Sequence, residues 1–371
     1  MSSSPRIPAS ANFRYETLDH WRGLAAFGVV VAHSCYPVRN IDAGNLVRIL
    51  AEWSFYGTYG VHIFFVVSGY CVSVKAVSTV SKGKSATSFL RDRLLRIFPA
   101  YWLACVAAIA IALAGSPFSN GSLSASLPFD NLGFISDVLL CHPYLNRHPV
   151  LGVSWTLVFE VGFYVLLALG ICLTFRTRRW SPSFALGGGA AIAGVLGAGT
   201  WLPTYILTYW SEFYSGIAVF VFVRFQGQQP LKAFGAATIP PGLAILAIAS
   251  HGLDDAGSIL LAAIFAMVLM ALKPYDRRIA SWRSLRWLGI CGTFSYSLYL
   301  IHQPLTTRAV NGMLKLFASS PLGVVLSVVI GVAIGVFAGA AFYRLCELPL
   351  EKWRHRLETA KRENIIVQAS P

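Results

Sequence analysis

Charged residues are scarce in this chain. Only 12% of its 371 residues are Asp, Glu, Lys or Arg, whereas soluble domains contain about 25%. Acidic residues are the rarest, with 16 Asp and Glu against 30 Lys and Arg. A soluble domain needs a charged surface. The composition therefore excludes that class, and the mean hydropathy of +0.60 agrees with this conclusion.

Several common sequence features are also missing. The seven cysteines form no C-x-x-C pair, which excludes the zinc and redox motifs built on that spacing. No repeat of fixed period is present. The first residues, MSSSPRIPASANFR, are polar, and the first apolar run continues directly into motif residues. We therefore expect no cleavable signal peptide and no bound metal.

Long apolar runs dominate the sequence instead. Runs of roughly 17–25 residues are typical of membrane-spanning helices. We therefore predict an all-α integral membrane protein with about ten transmembrane helices, of which the seventh is short. The predicted spans are 20–37, 54–74, 98–115, 152–175, 184–202, 204–223, 239–251, 256–272, 289–309 and 321–343.

The second predicted span contains the segment GVHIFFVVSGY, residues 60–70. Small residues within a span allow close approach of neighbouring helices, so we expect Gly60 and Gly69 to serve ordinary helix packing. Ser68 could cap a helix or form a hydrogen bond across helices.

The basic residues set the predicted orientation. If both termini are cytoplasmic, 24 of the 30 Lys and Arg residues lie in cytoplasmic segments, five lie outside, and Arg22 lies within the first span. This is the positive-inside bias of membrane proteins, and it accounts for the net charge of +14 without a nucleic-acid partner. The predicted division is a cytoplasmic segment 1–19, a membrane domain 20–353 and a basic cytoplasmic tail 354–371.

Arg22 and His33 stand out in the first predicted span. Ten residues separate them, so they lie close to three helical turns apart, on one face and about 16 Å apart along the axis. A lone histidine in a span is more often packed against a neighbour. The spaced pair of a cation and an imidazole instead favours a functional site.

Three more ionisable residues, His62, Glu160 and His302, lie within predicted spans. Such groups are costly in a bilayer and by default mark functional sites. Glu160 has two equally supported interpretations, as the structural partner of a buried cation or hydroxyl, or as part of the chemistry. Together with His33, these residues lie in the outer half of the membrane, on the order of 6–12 Å deep.

Arg91, Arg93 and Arg96 precede an apolar run in FLRDRLLRIFPAYW. Basic residues at this place satisfy the positive-inside rule. They also suit the binding of phosphate, because arginine offers forked, bidentate hydrogen bonds. We therefore predict that they bind the phosphates of a cytoplasmic cofactor or an anionic headgroup.

The longest connection between predicted spans is the outer loop 116–151. His142 and His148 lie in it, and we expect both in a solvated loop, since no further ligand spacing supports a metal site. The segment LGFISDVLL is too short to span and suggests a re-entrant or interfacial piece. Cys35 and Cys141 are both expected on the outer side, so a disulfide between them remains possible.

Five motifs carry a resemblance to a known family. LDHWRGLAAFGVVVAHS, GVHIFFVVSGY, FLRDRLLRIFPAYW, SWTLVFE and FSYSLYLIHQP occur in one order along about 14–353. In this respect the chain resembles the acyltransferase 3 family of integral-membrane acyltransferases. One departure is Trp21, where leucine is commoner. The chain resembles the members that lack a fused hydrolase-like domain.

The resemblance implies a reaction and its partners. The donor would be acyl-CoA, most simply acetyl-CoA, on the cytoplasmic side of a bacterial inner membrane. The acceptor would be a hydroxyl of an extracytoplasmic or lipid-linked glycan, such as an exopolysaccharide or O-antigen. Arg22 and His33 would be the essential pair, with Glu160 or His302 orienting the base or the acceptor.

The chemistry agrees with this implication. Acyl transfer from a thioester to a hydroxyl needs a base, and an imidazole titrates near neutral pH. Two other function classes stay open. A non-catalytic membrane scaffold is one, although it would not need Arg22 and His33 on one helix face. The other is a proton-coupled transporter or flippase, which would use intramembrane histidines and carboxylates as a proton relay. No inverted repeat or pair of broken helices is evident, which counts against it.

Overall fold

A computed structural model of the chain describes residues 15–39, 41, 44–115, 131–197, 202–317, 320–354 and 356. Within them the protein is helical and contains no strand. The predicted segments 1–19 and 354–371 lie mostly outside the described residues. The helices are α1 (Leu18–Cys35), α2 (Asn45–Ser54), α3 (Gly60–Ser81), α4 (Ala86–Gly115), α5 (Asn131–Val138), α6 (Trp155–Thr177), α7 (Ser181–Val195), α8 (Trp210–Phe225), α9 (Pro230–Asp255), α10 (Gly257–Leu272), α11 (Asp276–Ala280), α12 (Arg286–Thr293), α13 (Ser295–Phe317) and α14 (Pro321–Phe342).

Six helical stretches among the described residues are long and apolar enough to cross a membrane. Helices suit this role because they satisfy their own backbone hydrogen bonds in lipid. The all-α, multi-pass prediction is thereby confirmed, whereas the count of ten spans and the side of the termini remain predictions. The stretches are Val47–Ser81, Ala86–Ala114, Gly152–Thr177, Pro230–Asp255, Gly257–Ala280 and Pro321–Arg354.

Of the other predicted spans, the first corresponds to the uninterrupted helix α1, Leu18–Cys35, and the remaining three are shorter or interrupted. The fifth, 184–202, corresponds to α7, which ends at Val195. The sixth, 204–223, begins with a 3₁₀ turn, Leu202–Leu207, before α8 starts. The ninth, 289–309, is divided between α12, which ends at Thr293, and α13, which begins at Ser295, with a turn at Phe294 between them.

The fold divides into two compact units. Unit 1 comprises Met1–Val29, Tyr56–Arg91 and Thr156–Thr293. In it, α3, α8, α9 and α10 pack around an apolar core that includes Tyr70, Phe220 and Leu269. Gly69 of α3 and Gly216 of α8 allow the two backbones to touch, since a Cβ on either would overlap a carbonyl of the other helix. The prediction that the glycines of the second span serve packing is confirmed for Gly69.

Unit 2 comprises Val30–Phe55, Asp92–Trp155 and Phe294–Pro371. Its most extensive contact is between α13 and α14. Gly331, Gly335 and Gly339 recur every four residues on α14 and lie against α13, where side chains would clash. Small residues at this spacing allow close helix packing in membranes. The stripe brings the α14 backbone against the turn of α13 that carries His302.

Candidate active site

Unit 2 brings two of the predicted site residues together. His33 lies near the end of α1, and His302 lies at the start of the third turn of α13. Their side chains meet with 3.3 Å between His33 Nδ1 and His302 Nε2. His302 is completely buried, whereas His33 is half-buried. The two imidazoles are separated by 269 positions in the chain, so only the tertiary fold joins them.

The surrounding hydrogen bonds set the tautomers of this pair. His302 Nδ1 lies 3.0 Å from the carbonyl oxygen of Leu298 and 2.9 Å from that of Tyr299. Carbonyl oxygens only accept, so Nδ1 of His302 must carry a proton. A buried imidazole without a carboxylate partner is more stable neutral, which leaves Nε2 of His302 as an acceptor. His33 therefore donates from Nδ1, and its basic nitrogen is Nε2.

The fold holds His302 rigidly. Tyr299, one turn before it, donates from its hydroxyl to the carbonyl of Val153 at 3.1 Å. On the opposite side, a Cβ at Gly335 would approach both Thr306 and His302. A base needs such fixed support, because small displacements of a catalytic group cost large factors in rate.

Glu160 lies in unit 1, in the second turn of α6. Its Oε1 accepts hydrogen bonds from the Tyr164 hydroxyl at 2.5 Å and from Ser68 Oγ at 3.3 Å. The hydrogen bond from Ser68 crosses from α3 to α6, as the sequence suggested for this serine. Hydroxyl groups are thus the described partners of Glu160, in line with the predicted alternative of a structural carboxylate bonded to hydroxyls.

A second intramembrane pair consists of His62 and Glu212 in unit 1. His62 Nδ1 lies 2.8 Å from Glu212 Oε2, and Glu212 is completely buried. No group among the described residues is hydrogen bonded to its Oε1. Glu212 is not among the predicted site residues. Like Glu160, Glu212 is a carboxylate inside a predicted span, and this feature of the sequence could have identified it.

Arg22 lies in unit 1, in the first half of α1. It forms an ion pair with Asp19 at 3.5 Å, with side-chain exposures of 22% and 53%. The guanidinium of Arg22 therefore remains partly accessible to solutes. Helix α1 is continuous from Leu18 to Cys35, so the predicted spacing of three turns between Arg22 and His33 is present.

The predicted arginine cluster lies on the first three turns of α4. Arg93 and Arg96 are three residues apart, so they share a face of the helix, and both are half-buried. Arg91 is exposed and points to a different side. Only two of the three predicted phosphate-binding arginines therefore share one helix face.

Residues 116–130 of the predicted outer loop lie outside the described residues, and the rest, 131–151, differs from its prediction. His142 is only 2% exposed, so the expectation that it lies in a solvated loop is wrong, whereas His148 is exposed. The segment expected to be re-entrant or interfacial forms the short helix α5. Asp137 of α5 is buried and accepts hydrogen bonds from the Tyr101 hydroxyl and the Val150 amide. These two hydrogen bonds connect α5 to α4 and to the end of the loop.

Cys35 and Cys141 are both free thiols in this structure. The possible disulfide between them is therefore not formed. Burial raises the pKa of the Cys141 thiol, which makes it less reactive toward oxidation.

Burial of His142 predicts a loss of stability in acid. It lowers the pKa of His142 to about 4, from an ordinary value of about 6.5. Between about pH 6.5 and pH 4, the unfolded chain therefore binds a proton at this histidine and the folded chain does not. As the pH falls through this range, the free energy of unfolding decreases by up to about 3 kcal/mol. We expect His142→Phe to flatten the pH dependence of the unfolding temperature over this range.

The control for this prediction is His148→Phe, because His148 is exposed. It should leave the pH profile of thermal unfolding unchanged. Burial raises the pKa of Asp137, so the effect of Asp137 on the pH dependence of stability has the opposite sign. Asp137 is present in both variants, so the difference between their pH profiles reports on His142 alone. If the unfolding temperatures of wild type and His142→Phe changed with pH in parallel, the loss of stability in acid could not be assigned to His142.

Most of the chain is similar to a family of known proteins. The family model described as an acyltransferase domain, that of the acyltransferase 3 family, matches residues 15–344. The chain belongs to this family. The resemblance inferred from the five motifs is thereby confirmed, and the protein is an acyltransferase. The matched region includes α1, α13 and the His33–His302 pair.

Several curated relatives share parts of this acyltransferase. The exopolysaccharide production protein ExoZ of Rhizobium meliloti is 31% identical over 82% of this chain and 93% of its own length. Nodulation protein 10 of Rhizobium leguminosarum is 28% identical over 50% of this chain and 49% of its own length. The O-acetyltransferase OatA of Staphylococcus aureus is 26% identical over 44% of this chain and 26% of its own length. No solved structure matches the chain.

Proposed function

We propose that this acyltransferase moves an acetyl group from cytoplasmic acetyl-CoA to a hydroxyl of an exopolysaccharide or its lipid-linked precursor, in the bacterial inner membrane. The similarity to an exopolysaccharide production protein over most of both chains supports the acceptor class. The name of the O-acetyltransferase relative supports acetyl as the group transferred. The geometry of His33 and His302 carries the proposal for the chemistry.

In this proposal, Nε2 of His33 removes the proton from the acceptor hydroxyl. The hydroxyl oxygen attacks the thioester carbonyl, the C–S bond breaks, and the imidazolium returns its proton to the departing CoA thiolate. His302 is a positioning residue that holds Nδ1–H of His33 and so keeps Nε2 basic. Arg22, about 16 Å away along α1, contributes positive charge for an anionic part of the donor.

An assay with purified protein tests this proposal. The enzyme is mixed with labelled acetyl-CoA and with polysaccharide fragments of the host. We expect loss of thioester together with label on the glycan as an alkali-labile ester. Thioester loss without glycan labelling would exclude this acceptor class, while absence of both would contradict the proposed donor.

The donor site makes a separate prediction. Arg93→Gln and Arg96→Gln should raise the KM for acetyl-CoA about tenfold or more with little change in kcat, because each removes a charge-assisted hydrogen bond worth about 1.5–3 kcal/mol. Arg91→Gln is the matched control, since it removes the same charge from another side of α4. A fall in kcat at constant KM, or an equal effect of Arg91→Gln, would place the donor phosphates elsewhere.

We also propose ten spans with both termini in the cytoplasm, with 1–19 and 354–371 as cytoplasmic segments around the membrane domain 20–353. The bias of 24 basic residues on one side against five on the other supports this topology. A reporter fused after residue 371 should therefore be active only if it functions in the cytoplasm. A periplasmic readout would show that the count of spans is wrong by one.

The His62–Glu212 pair favours a second candidate function, proton-coupled transport. A buried imidazole–carboxylate pair can carry a proton through a membrane. Proteoliposomes containing the protein and a pH-sensitive dye test this, because a transporter would move protons when the glycan precursor is added. Proton movement that persists in His33→Ala and is lost in Glu212→Gln would favour transport over acyl transfer.

A further inference from the structure

A cavity of about 200 Å³ lies in unit 1, among helices α3, α6, α7 and α8. Its walls are formed mainly by apolar side chains such as Leu166, Phe184, Ile217 and Phe220. None of the described residues that line it takes part in the proposed acyl transfer. The cavity therefore needs an explanation of its own.

The polar groups in the wall are bonded to the protein. A cavity holds water only where it offers polar partners, and apolar cavities stay dry and take up hydrocarbon. The wall contributes few such partners, because four of its polar side chains donate to nearby carbonyls. These hydrogen bonds are Ser73 Oγ to Gly69 O at 2.7 Å, Ser183 Oγ to Gly170 O at 2.6 Å, Trp210 Nε1 to Gly187 O at 2.8 Å and Tyr214 OH to Phe184 O at 2.7 Å.

The volume suits a flexible hydrocarbon segment. An engineered apolar cavity of about 150 Å³ in another protein binds benzene, and the present cavity is larger at about 200 Å³. The same hydrogen bonds keep it open, because they fix Trp210 and Tyr214 against α7. A length of alkyl chain fills such a space without losing polar contacts.

One end of the cavity is positively charged. Arg224 and Phe225, at the end of α8, both line it. The guanidinium carbon of Arg224 lies 5.5 Å from the centroid of the Phe225 ring, and Lys232 Nζ lies 5.2 Å from the same centroid. Two basic side chains on one aromatic ring concentrate positive charge at this end, and such charge attracts an anion.

The surface beside this end has the character of a lipid boundary. Lys232 at the start of α9 is flanked by Leu231 and Phe234, whose side chains are 83% and 68% exposed. Exposed apolar side chains next to a lysine are typical of the level where hydrocarbon meets headgroups. An apolar cavity with a basic end at this level matches a molecule with an alkyl chain and an anionic headgroup.

We propose that this cavity binds an acyl chain of an anionic membrane phospholipid, with its headgroup phosphate held by Arg224 and Lys232. The site is separate from the acyl-transfer site and does not depend on the proposed reaction. It would couple the packing of α7 and α8 to the presence of anionic lipid. Bound lipid would also fill a space that otherwise lacks packing contacts.

Native mass spectrometry of the full chain in detergent tests the proposal. The protein is incubated with phosphatidylglycerol, with phosphatidylethanolamine or with glycerol phosphate. We expect wild type to retain phosphatidylglycerol at least fivefold more than the other two. Arg224→Gln and the cavity-filling Ala190→Phe should each reduce that retention at least fivefold. Val77→Phe fills the same cavity from α3 and replaces Ala190→Phe if that variant does not fold.

Arg179→Gln is the matched control, because it removes a charge from the loop between α6 and α7 without lining the cavity. Its retention of phosphatidylglycerol should equal that of wild type. An equal loss in this variant would show that bulk charge alone attracts the lipid. Unchanged retention in the filled variants would show that no chain enters the cavity, and retention of glycerol phosphate equal to that of the lipid would show a phosphate site. Each of these results would overturn the proposal.

Discussion

His33→Ala is expected to lower acyl transfer 10²–10⁴-fold per folded molecule, the usual cost of removing a general base. The basic nitrogen of His33 is its Nε2, because Nδ1 donates to His302. The loss should appear in kcat, since the imidazole acts on the reacting hydroxyl. The change also leaves the buried Nε2 of His302 without its donor, at a cost to folding of about 1–3 kcal/mol, so activity is compared per folded molecule. The measurement is the rate of ester formation in detergent, divided by the amount of monodisperse protein.

His62→Ala is the control for this prediction, since it also removes an intramembrane imidazole. It leaves the buried carboxylate of Glu212 without its partner, so it should reduce yield and thermal stability more than His33→Ala does. Near-normal specific activity in His33→Ala would end the proposal. A larger loss of specific activity in His62→Ala would move the base to the second predicted span.

The role of His302 is separable from that of His33. His302→Gln can still accept a hydrogen bond from Nδ1–H of His33, whereas His302→Leu cannot. If His302 positions the base, the glutamine variant should retain much more of kcat than the leucine variant, with the KM for acetyl-CoA unchanged in both. Equal losses in the two variants would indicate that packing, and not the tautomer of His33, is what His302 provides.

The sequence predicts the class of the fold well. Long apolar runs dictate helices, because only internally hydrogen-bonded segments are stable in lipid. The helical spacing of Arg22 and His33 follows from chain geometry alone. The crossing hydrogen bond from Ser68 and the packing role of Gly69 are also foreseen, because small and hydroxyl residues within spans serve helix association.

The partners of the site residues are not predictable in the same way. Both lipid-facing and buried positions in a span are apolar, so periodicity does not reveal which faces meet. The contact between His33 and His302 depends on how the end of α1 packs against α13. The burial of His142 depends on loop closure around Asp137. These features arise from tertiary packing over long separations, which local patterns do not encode.

Asp276 is another residue whose partners the sequence does not predict, and its substitution is expected to cause the second large effect, a loss of stability. It lies in α11 and is buried. In the sequence it stands among basic residues, and no pattern there indicates its role. Its carboxylate accepts from the amides of Glu16 and Thr17 at 2.7 and 2.9 Å and from the Thr17 hydroxyl at 2.8 Å. It also pairs with Lys273 Nζ at 3.1 Å. These contacts anchor the chain just before α1, the helix that carries Arg22 and His33.

Asp276→Ala is therefore expected to destabilise the protein by about 3–5 kcal/mol, because it leaves the half-buried ammonium of Lys273 and several buried donors without this acceptor. Asp276→Asn should cost less, since the amide oxygen still accepts from the backbone. Asp19→Ala is the matched control. Asp19 pairs with Arg22 on the same helix but is 53% exposed, so its loss should cost at most about 1 kcal/mol.

Thermal unfolding in detergent, together with denaturant titration, measures these differences. Equal losses of unfolding free energy in Asp276→Ala and Asp19→Ala would show that buried Asp276 stabilises the protein no more than an exposed carboxylate does. If Asp276 acts only as an anchor, the molecules that remain folded should transfer acyl groups at the normal rate. A fall in specific activity as large as that of His33→Ala would instead place Asp276 in the chemistry, because an anchor acts on the amount of folded enzyme and not on its turnover.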